Sequence, residues 1–528
     1  MTTGKHKDIG PDYLNNFDQV SAFFGTPPWK VSPEGELAGI WGGAAGKELA
    51  EYNRSLGADA AALENIQLLT QGDCGAVVTG QQPCLFGGPL YVLYKAACAI
   101  VMARKMSKRL GKPMVPVFWN ASDDDDFAEI SSARVLDGKS SVSSISYAPN
   151  IDMQNVSCFY LPAGADIEKC IDIFRTTVPE SEHKRWVVEL LADAGRGSSS
   201  FSEWVSRILS GLLSSYGMAL FEPRLESGRR FAAPIIKKEI ENPGVSSRLV
   251  NEAGAELDRQ GYGAQLSKSP DAVNFFLYRD GRRGRVKFRD GRFKVVWSDR
   301  KEDFSRDEML QKLSEGPQAF SPNALLRCVV QSRLFPGACT VLGPSEMLYW
   351  AQLKQVFAHF ETVMPSIMPR SRAVIVDGKI QRLMEKYGLT NEDCLSRDKK
   401  VVAAMSKAEE ISDEIAVSRK KAAEILEGLV PSLENLDPTL ATRAAKIRQK
   451  IDYELAKLSS SAGRAVIRRN ETEARRLARI VNNFRPLNCD QERILSFCSA
   501  LAAYGPYLVE EIVERIEVGT TRIQFLEI

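Results

Sequence analysis

Four consecutive aspartates, Asp123 to Asp126, form the side-chain group of this sequence best suited to chemistry. Neighbouring carboxylates repel one another by roughly 1 kcal/mol per close pair even in water, so an acidic run is usually a solvated turn. This run, however, follows an apolar segment ending in Trp119, and α/β proteins bind ligands beyond the carboxyl ends of such strands. A carboxylate there can orient an amine, act as a general base or bind Mg²⁺. We therefore predict Asp123, Asp124 and Asp126 as catalytic residues, while others of the run cap the next helix.

A glycine-rich loop, residues 80–89, is the second candidate. Its glycines permit positive φ and let the backbone approach a ligand closely. Gln81 and Gln82 add amide donors and acceptors that can hold a phosphate or a carboxylate. The loop contains neither the GKS or GKT of a Walker A motif nor GxGxxG. From residue chemistry alone, a structural turn and a ligand loop are therefore about equally good interpretations.

The surrounding elements predict that both groups lie at one edge of a sheet. A strand over 76–79 precedes the loop, an amphipathic helix over 90–110 follows it, and a second strand over 114–119 leads to the aspartates. Strand, turn, helix and strand in this order form a βαβ unit. Since neighbouring strands of such a unit end side by side, we expect the paired glutamines and the aspartates to share one crevice.

A second block of core sequence repeats the pattern of a strand followed by a helix start. Residues 339–342 are a predicted strand, and residues 343–346 open a helix that runs to Phe360. The free backbone amides of a helix start can hold an anion. The predicted substrate- or phosphate-binding residues are Thr79, Gly80, Gln81, Gln82, Trp119, Asn120, Ser122, Gly343, Ser345 and Glu346.

Other residues give weaker signals. The three histidines have no metal-ligand spacing to a cysteine or to one another, so we predict no metal site of that kind. His359 lies on an apolar helix, where a packed histidine is commoner than a catalyst. Cys84 is a weak nucleophile candidate because no histidine is near it in sequence. Basic residues that can pair with phosphate or carboxylate, although each is individually more typical of a structural ion pair, are Arg327, Arg333, Arg370 and Arg372.

Composition excludes several classes of protein. With 69 basic and 67 acidic residues the formal charge is +2, which gives no support for a nucleic-acid partner. Ten cysteines are scattered without a CxxC pair, which fits a reducing compartment. Residues 1–10 are polar and no run of about 18 apolar residues occurs, so we predict a cytoplasmic protein without a membrane partner.

At 528 residues the chain is long enough for more than one domain. Between about 383 and 485 glycine nearly disappears and apolar residues recur at alternating steps of three and four, which predicts an antiparallel coiled-coil hairpin and favours dimerisation through it. The first predicted seam is Ala408, Ile411, Ile415, Ser418, Ala422, Ile425 and Leu429, and the second is Leu440, Ala444, Ile447, Ile451 and Leu458. Pro431, Asp437 and Pro438 are predicted to separate them.

Several motifs together resemble the bacillithiol biosynthesis cysteine-adding enzyme family. They are residues 78–82, 88–91, 94–95, 116–119, 123–127, Glu129, 321–327, 343–346, 349–354, 491–493 and 504–505. They cover most of the chain in the family's order, which makes the set far more specific than any single loop.

The resemblance implies an α/β fold with a Rossmann-like nucleotide-binding core, connecting-peptide insertions and a C-terminal coiled coil that forms a homodimer. The expected segments are 1–136 for the first half of the core, 137–200 for a connecting-peptide insertion, 201–376 for the second half with a small β-rich insertion near 255–315, 377–485 for the coiled coil and 486–528 for a segment packing back on the core. The family also suggests a second nucleotide site near the coiled coil, which we assign to Gln491, Glu492 and Arg493.

The implied reaction joins the carboxyl group of L-cysteine to the amine of glucosaminyl-malate, the last step of bacillithiol synthesis. This chain departs from the family's pattern at Asp125, where a histidine is usual, at Cys84, and in residues 520–524, which lack the usual histidine. A role that needs imidazole at Asp125 must therefore pass to another group.

As a mechanism we expect a nucleotide or phosphate donor to activate the cysteine carboxyl, with Asp123 and Asp126 orienting or deprotonating the amine. The sequence leaves ATP, ADP and Mg²⁺ open as cofactors. Two alternatives are a nucleotidyltransferase-like enzyme acting on another amino substrate, and a catalytically degenerate dimeric scaffold.

Overall fold

The computed structural model describes residues 6–31, 41–72, 74–335, 339–396, 409–469 and 471–528. Ala408, the first residue of the predicted seam, lies outside these ranges. The helices are α1 Ile9–Asn15, α2 Phe17–Val20, α3 Ala44–Ser55, α4 Ala60–Gln71, α5 Leu90–Leu110, α6 Phe127–Ile130, α7 Ala165–Thr177, α8 Lys184–Arg196, α9 Phe201–Leu213, α10 Glu226–Glu241, α11 Val245–Arg259, α12 Arg306–Glu315, α13 Ala324–Leu334, α14 Pro344–Ala351, α15 Lys354–His359, α16 Gly378–Tyr387, α17 Asn391–Leu395, α18 Glu409–Leu436, α19 Pro438–Arg469, α20 Glu471–Phe484, α21 Gln491–Ile494, α22 Phe497–Tyr504 and α23 Tyr507–Arg515. The strands are β1 Gly75–Gln81, β2 Met114–Asn120, β3 Ser132–Leu136, β4 Val142–Ser146, β5 Ala219–Phe221, β6 Ala272–Arg279, β7 Arg282–Arg289, β8 Arg292–Val296, β9 Lys301–Phe304, β10 Phe320–Pro322, β11 Cys339–Leu342, β12 Ser366–Pro369, β13 Arg372–Val376 and β14 Ile523–Glu527.

A five-stranded parallel sheet forms the centre of the molecule's larger unit, in the order β12-β11-β1-β2-β5. Numbered by their order in the chain, these five strands run 3-2-1-4-5 from the β5 edge, the arrangement of a doubly wound nucleotide-binding fold. The strands are rich in buried valine, as expected for a parallel sheet covered on both faces. Strand order reverses between β1 and β11, and such switch points are where these folds bind ligands.

The predicted βαβ unit is confirmed. The α5 helix has the predicted bounds, Leu90–Leu110, and connects the parallel neighbours β1 and β2. Gly111 ends the helix in the left-handed region at φ 65°, where a residue with a Cβ would be strained. The register places Gly80 opposite Trp119 and Gln81 opposite Asn120. The two candidate segments therefore leave the sheet side by side.

A second, antiparallel sheet has the order β10-β6-β7-β8-β9, in the region where the sequence predicts a β-rich insertion. Two of its hairpins turn at Asp280-Gly281 and Asp290-Gly291, and all four residues have positive φ. Asp-Gly is the residue pair that two-residue hairpin turns with positive φ favour. Each turn therefore has the conformation that its residue pair favours.

The chain divides into two compact units. The larger contains residues 1–135, 143–373 and 492–526, and the smaller contains 136–142, 374–491 and 527–528. Within the larger unit the C-terminal helix α23 packs against α5, and Phe497 lies over Gly87 so closely that a Cβ there would be 2.1 Å from its ring. No helix in the described ranges is both long enough and apolar enough to cross a membrane.

The smaller unit contains the coiled-coil hairpin of α18 and α19. Arg419 donates to Asp452 at 2.8 Å and Arg448 pairs with Glu427, which fixes the two helices as antiparallel. Pro431, predicted to break the first helix, instead lies inside α18, which continues to Leu436. We attribute this to the packing of the half-buried Val430 and Leu433 on either side of it. Pro438 begins α19, where its missing N–H breaks no helical hydrogen bond.

The predicted phase of the first seam agrees with the burial of Ile415 and Ala422, which are half-buried, but is wrong by one residue at Ser418, Ile425 and Leu429, which are exposed. Ile425 and Leu429, both assigned to the seam, are 65% and 49% exposed. The half-buried residues with the same spacing are Arg419, Ala423, Leu426, Val430 and Leu433. In the second seam Ala444 is buried, whereas Ile447 and Leu458 are exposed. Helix α18 carries two adjacent apolar stripes of heptad spacing, and the spacing alone does not tell which one faces α19.

Candidate active site

A cavity of about 300 Å³ lies beyond the carboxyl ends of β1, β2 and β11, which includes the switch point of the sheet. Its lining residues are Thr79, Gly80, Gln81, Gln82, Tyr91, Lys95, Trp119, Ala121, Asp124, Glu129, Ala324, Arg327, Gln331, Thr340, Val341, Leu342, Pro344, Ser345, Glu346, Tyr349, Arg370 and Arg493. All of them belong to the larger unit. The volume suits a ligand of metabolite size.

The paired glutamines and the acidic run meet at this cavity, as the sequence predicts. Gln82 Nε2 donates to Asp124 Oδ2 at 3.0 Å and to Glu129 Oε2 at 3.1 Å. The close pairing of β1 and β2 requires glycine at position 80, because a Cβ there would be 2.5 Å from the carbonyl oxygen of Trp119. A residue with a side chain at position 80 would therefore push β1 and β2 apart at the cavity wall.

The four aspartates have four different surroundings, and only Asp124 lines the cavity. Asp123 is buried and receives two hydrogen bonds from Arg229 and one of 2.9 Å from Tyr278. Burial alone would raise the pKa of Asp123, but the Arg229 guanidinium outweighs this and holds it below the usual value. Asp123 thus forms a buried ion pair that shapes the corner, and its carboxylate is already occupied.

Asp125 and Asp126 also do not line the cavity. Asp125 pairs with Arg283 at 3.0 Å, and the Arg283 guanidinium lies 3.7 Å from the centre of the Phe276 ring. Asp126 is exposed, and its carboxylate accepts the backbone N–H of Glu129 at 3.2 Å, which caps α6. The expectation that Asp123 and Asp126 act on the amine therefore differs from the arrangement found. Asp124 is the one aspartate of the run that lines the cavity, and Glu129 lines it beside Asp124.

Asn120 and Ser122, predicted to bind substrate, lie in a buried polar network beneath the strand ends and do not line the cavity. Asn120 Nδ2 donates to Ser206 Oγ at 2.8 Å. Ser122 Oγ donates to Glu222, a buried carboxyl whose pKa burial raises to about 7. These side chains hold the start of the acidic corner from below, because Asn120 ends β2, Ser122 follows two residues later, and both are buried in the protein. No pattern in the sequence pointed to Glu222.

Lys95 is a cavity residue that sequence reasoning missed. It lies on α5, is 3% exposed, and its ammonium group donates to Gly80 O at 2.9 Å and to Gln81 Oε1 at 3.0 Å. It also forms an ion pair with Glu346 at 2.6 Å. Burial lowers the pKa of Lys95, and Glu346 opposes that shift. A lysine within an otherwise apolar helix face was the available signal.

The helix start at Gly343 to Glu346 is already occupied by a carboxylate. Glu346 Oε2 accepts the Gly343 N–H at 2.7 Å, which is the glutamate half of a capping box, as well as the Lys95 ammonium. Ser345 lines the cavity and Gly343 does not. An anion bound here would therefore contact Ser345 at the N-terminus of α14. The partial positive charge of that helix end is partly offset by Glu346.

Two cavity arginines have no carboxylate in direct contact among the described residues. Arg327 donates to Gln331 at 2.8 Å and to the Tyr349 hydroxyl at 2.7 Å, both neutral groups. Arg493 is exposed at the cavity wall. Across the described ranges neither arginine forms an ion pair. Arg370 differs, because it makes a bidentate pair with Glu492 at 2.7 and 2.9 Å.

The three residues assigned to a second nucleotide site have separate roles. The Gln491 side chain accepts from Ile375 N at 2.9 Å and donates to Ile375 O at 3.0 Å, which imitates a strand partner. Glu492 is buried against Arg370. Arg493 lines the first cavity. Because the first two side chains are occupied by the protein itself, this arrangement differs from the expected second site.

Two weaker candidates stay outside the chemistry of the cavity. Cys84 is buried, and burial raises the pKa of its thiol, so it is poorly suited to act as a thiolate nucleophile. His359 packs beside Phe360 with ring centres 4.9 Å apart, and burial lowers the pKa of its imidazole. Neither residue lines the cavity.

Comparison with protein families gives two matches that together span the chain. The family model described as "Bacillithiol biosynthesis BshC, N-terminal Rossmann-like domain" matches residues 1–371, and "Bacillithiol biosynthesis BshC, C-terminal coiled-coil domain" matches residues 373–528. The expected fold class, a Rossmann-like core followed by a coiled coil, is thereby confirmed.

Curated relatives carry the same family name. A protein of Salinibacter ruber named "Putative cysteine ligase BshC" is 30% identical over 99% of this chain and 96% of its own length. A protein of the same name from Symbiobacterium thermophilum is 30% identical over 89% of this chain and 86% of its own length. Among solved structures, a Campylobacter jejuni chain titled "putative arginyl t-RNA synthetase" is 10% identical over 86% of this chain and 98% of its own length, at a TM-score of 0.26, too low to indicate a shared fold.

Proposed function

This chain belongs to the BshC family of bacillithiol biosynthesis, and from that premise we propose that it is a ligase joining the carboxyl group of L-cysteine to the amine of glucosaminyl-malate. The relatives' printed names support cysteine as one substrate. The second substrate and the amide bond are what the family resemblance implies, and the charges of the cavity support them.

One observation carries the proposal, namely that the cavity has separate unneutralised charges of both signs. Lys95 is paired with Glu346 and Arg370 with Glu492, so these four cancel in pairs. The charges left over are those of Arg327 and Arg493, and of Asp124 and Glu129. Among the described residues neither of those two carboxylates has a cationic partner, and each accepts from the neutral Gln82.

Such a cavity suits substrates that carry an amine and carboxylates together. Glucosaminyl-malate has one amine and two malate carboxylates, and arginine binds carboxylates with paired hydrogen bonds. We assign the malate end to Arg327 and Arg493 and the amine to Asp124 and Glu129. A phosphate of an activating nucleotide has the same chemistry as malate at the arginines, and kinetics with each substrate varied in turn separate the two.

The proposed bond-forming step needs an activated carboxyl and a neutral amine. The amine nitrogen attacks the carboxyl carbon of cysteine, a C–N bond forms, and the group that activates the carboxyl leaves with the C–O electron pair. The nitrogen loses a proton in this step, and Asp124 is the cavity carboxylate we assign to accept it. The absence of a histidine at Asp125 does not affect this assignment, because Asp125 pairs with Arg283 away from the cavity.

A homodimer through the coiled coil is also part of the proposal. The stripe on α18 that does not face α19 remains apolar and exposed, with Ile425 65%, Leu429 49% and Leu436 78% accessible. Exposed heptad residues of this kind are typical of a surface that packs against another helix. A second copy of the hairpin would bury this stripe.

The testing experiment incubates purified protein with L-cysteine and glucosaminyl-malate, with and without ATP and Mg²⁺, and measures product mass. We expect a product whose mass is the sum of both substrates less one water. L-Serine in place of cysteine and glucosamine in place of glucosaminyl-malate are the matched controls. If neither substrate is consumed under any condition, the proposed ligation is wrong. Product formed with another amine but not with glucosaminyl-malate would instead favour a different amino substrate.

A further inference from the structure

A chain of side-chain hydrogen bonds runs along the cavity wall from α14 to the acidic pair. It begins at Glu346, whose carboxylate lies 2.6 Å from Lys95 Nζ, and Lys95 in turn donates to Gln81 Oε1 at 3.0 Å. Gln81 Nε2 donates to Gln82 Oε1. Gln82 Nε2 then donates to Asp124 at 3.0 Å. The branch to Glu129 is 3.1 Å long.

The two ends of this chain allow only one orientation of the glutamine amides. A lysine ammonium has donors and no acceptor, whereas an ionised carboxylate has acceptors and no donor. Gln81 must therefore turn its oxygen to Lys95 and its NH₂ group to Gln82. Gln82 must turn its oxygen to Gln81 and its NH₂ group to the carboxylates. Without this constraint a glutamine amide can flip by 180°. Lys95 therefore fixes the orientation of the Gln82 amide, which it does not contact, through Gln81.

We propose that Lys95 is a positioning residue that acts through Gln81 and Gln82 to hold Asp124 and Glu129 close together as a binding site for the substrate amine, with Glu129 ionised. This inference rests on the proposed function, since it assigns the amine to those two carboxylates. It goes beyond that function by making the paired glutamines a relay instead of direct ligands. Gln81 contacts neither carboxylate, yet its loss should weaken the hydrogen bonds that Gln82 donates to both of them.

The surroundings of the acidic pair favour the protonated form of Glu129, and the relay opposes this. Loss of solvent around its carboxyl raises the pKa of Glu129, and the negative charges of Asp124 and Asp126 raise it further. The charge of Lys95 and the hydrogen bond from Gln82 oppose that rise. The other titratable groups nearby include Arg493 on the cavity wall, the thiols of Cys84 and Cys158 and the Tyr91 hydroxyl, and burial raises the pKa of the last three. Lys95 is the cation whose charge chiefly opposes the rise in the pKa of Glu129.

Two substitutions separate the relay from the bare charge of the lysine. Lys95→Met removes both the donor and the charge, whereas Gln81→Met breaks the chain and leaves the charge in place. The matched control is Gln331→Met, a buried glutamine of the same cavity that accepts from Arg327 and is not linked to the chain. Should Gln81→Met fail to fold by circular dichroism, Gln81→Ala breaks the same link.

The measurement is the rate at which a water-soluble carbodiimide labels Glu129 as a function of pH, followed by peptide mass spectrometry. The reagent attacks protonated carboxyls, so the midpoint of labelling reports the titration of Glu129 without any need for activity. We expect Gln81→Met and Lys95→Met to move this midpoint to higher pH by about half a unit to one unit, and Gln331→Met to leave it in place. The acidic limb of kcat/KM should move in the same direction in the first two variants.

An unchanged midpoint in folded Gln81→Met would overturn the relay, since only the lysine charge would then matter. Equal shifts in all three variants would overturn it too, because they would indicate general loosening of the cavity. If the wild-type protein forms no product but the midpoints shift as expected, the proposed function fails and the relay stands. If product forms but the midpoints do not shift, the relay fails and the proposed function stands.

Discussion

Gln82 Nε2 lies 3.0 Å from Asp124 Oδ2, although the two residues are 42 positions apart in sequence. This hydrogen bond joins the turn after β1 to the corner after β2, and both strands end at the same edge of the parallel sheet. It also distinguishes Asp124 from its three acidic neighbours, whose carboxylates are held by Arg229, by Arg283 and by the first turn of α6. The pairing of these two side chains is the basis for the predictions on activity.

Asp124→Asn should lower kcat/KM of the ligation by roughly a hundredfold or more, because it removes the carboxylate proposed to accept the amine proton. Steady-state kinetics with both substrates would measure this. Asp126→Asn is the matched control, since it makes the same change within the same run but outside the cavity, and asparagine still caps a helix. Equal losses in the two variants would contradict a special role for Asp124.

Arg327→Met should raise the KM for glucosaminyl-malate by about 10- to 100-fold, the worth of one or two charge-assisted hydrogen bonds, with a smaller effect on kcat. Isothermal titration calorimetry would show the same loss in Kd. Arg333→Met is the control, because Arg333 is exposed on the same helix and does not line the cavity. A change in the KM for ATP alone would assign the arginine to the nucleotide instead of malate.

Arg370→Met should destabilise the larger unit by up to about 3–5 kcal/mol, because it leaves the buried Glu492 with only the more distant Arg372, at 3.7 Å, as a counter-charge. Arg248→Met, at an exposed ion pair with Glu252, should cost less than about 1 kcal/mol. Chemical denaturation followed by tryptophan fluorescence compares them. The double variant Arg370→Met/Glu492→Gln should recover part of the loss. If it is less stable than Arg370→Met alone, the unpaired charge is not the cause.

The buried carboxyl of Glu222 should make stability fall as pH rises. Its pKa is about 7 in the folded protein, above the ordinary value of 4.5, so the folded state binds more protons than the unfolded state between these values. The loss begins near pH 4.5 and is complete just above pH 7, and amounts to on the order of 3 kcal/mol. Glu222→Gln should remove this contribution. Parallel stability curves for the two proteins between about pH 4.5 and 7.5 would contradict the assignment.

Leu429→Glu should shift the protein from dimer to monomer at micromolar concentration, because it places a charge in the exposed apolar stripe of α18. Analytical ultracentrifugation would measure the change, with circular dichroism confirming that the helices persist. Lys420→Glu is the control on the same helix, at a side chain that is 82% exposed and outside the stripe. A wild-type protein that sediments as a monomer would remove the dimer from the proposal.

The sequence alone determined the parts of this protein that depend on near neighbours. The bounds of α5, the βαβ unit and the two Asp-Gly hairpin turns follow from apolar periodicity and turn residues, which act within a few positions of the chain. The sequence also placed the paired glutamines and the aspartates at one edge of the sheet, because strand order within a βαβ unit constrains where its ends lie.

Tertiary structure alone decided which of those residues are available for chemistry. Asp123 and Asp125 are indistinguishable from Asp124 in the sequence, and their partners Arg229 and Arg283 lie 106 and 158 residues further along the chain. The predicted seam of α18 is likewise wrong by one residue at Ile425 and Leu429, because two stripes have the same spacing and only packing against α19 selects between them. In both cases the local sequence allows several equivalent choices. Packing against a distant partner selects one of them, because burying a charge without a partner costs free energy.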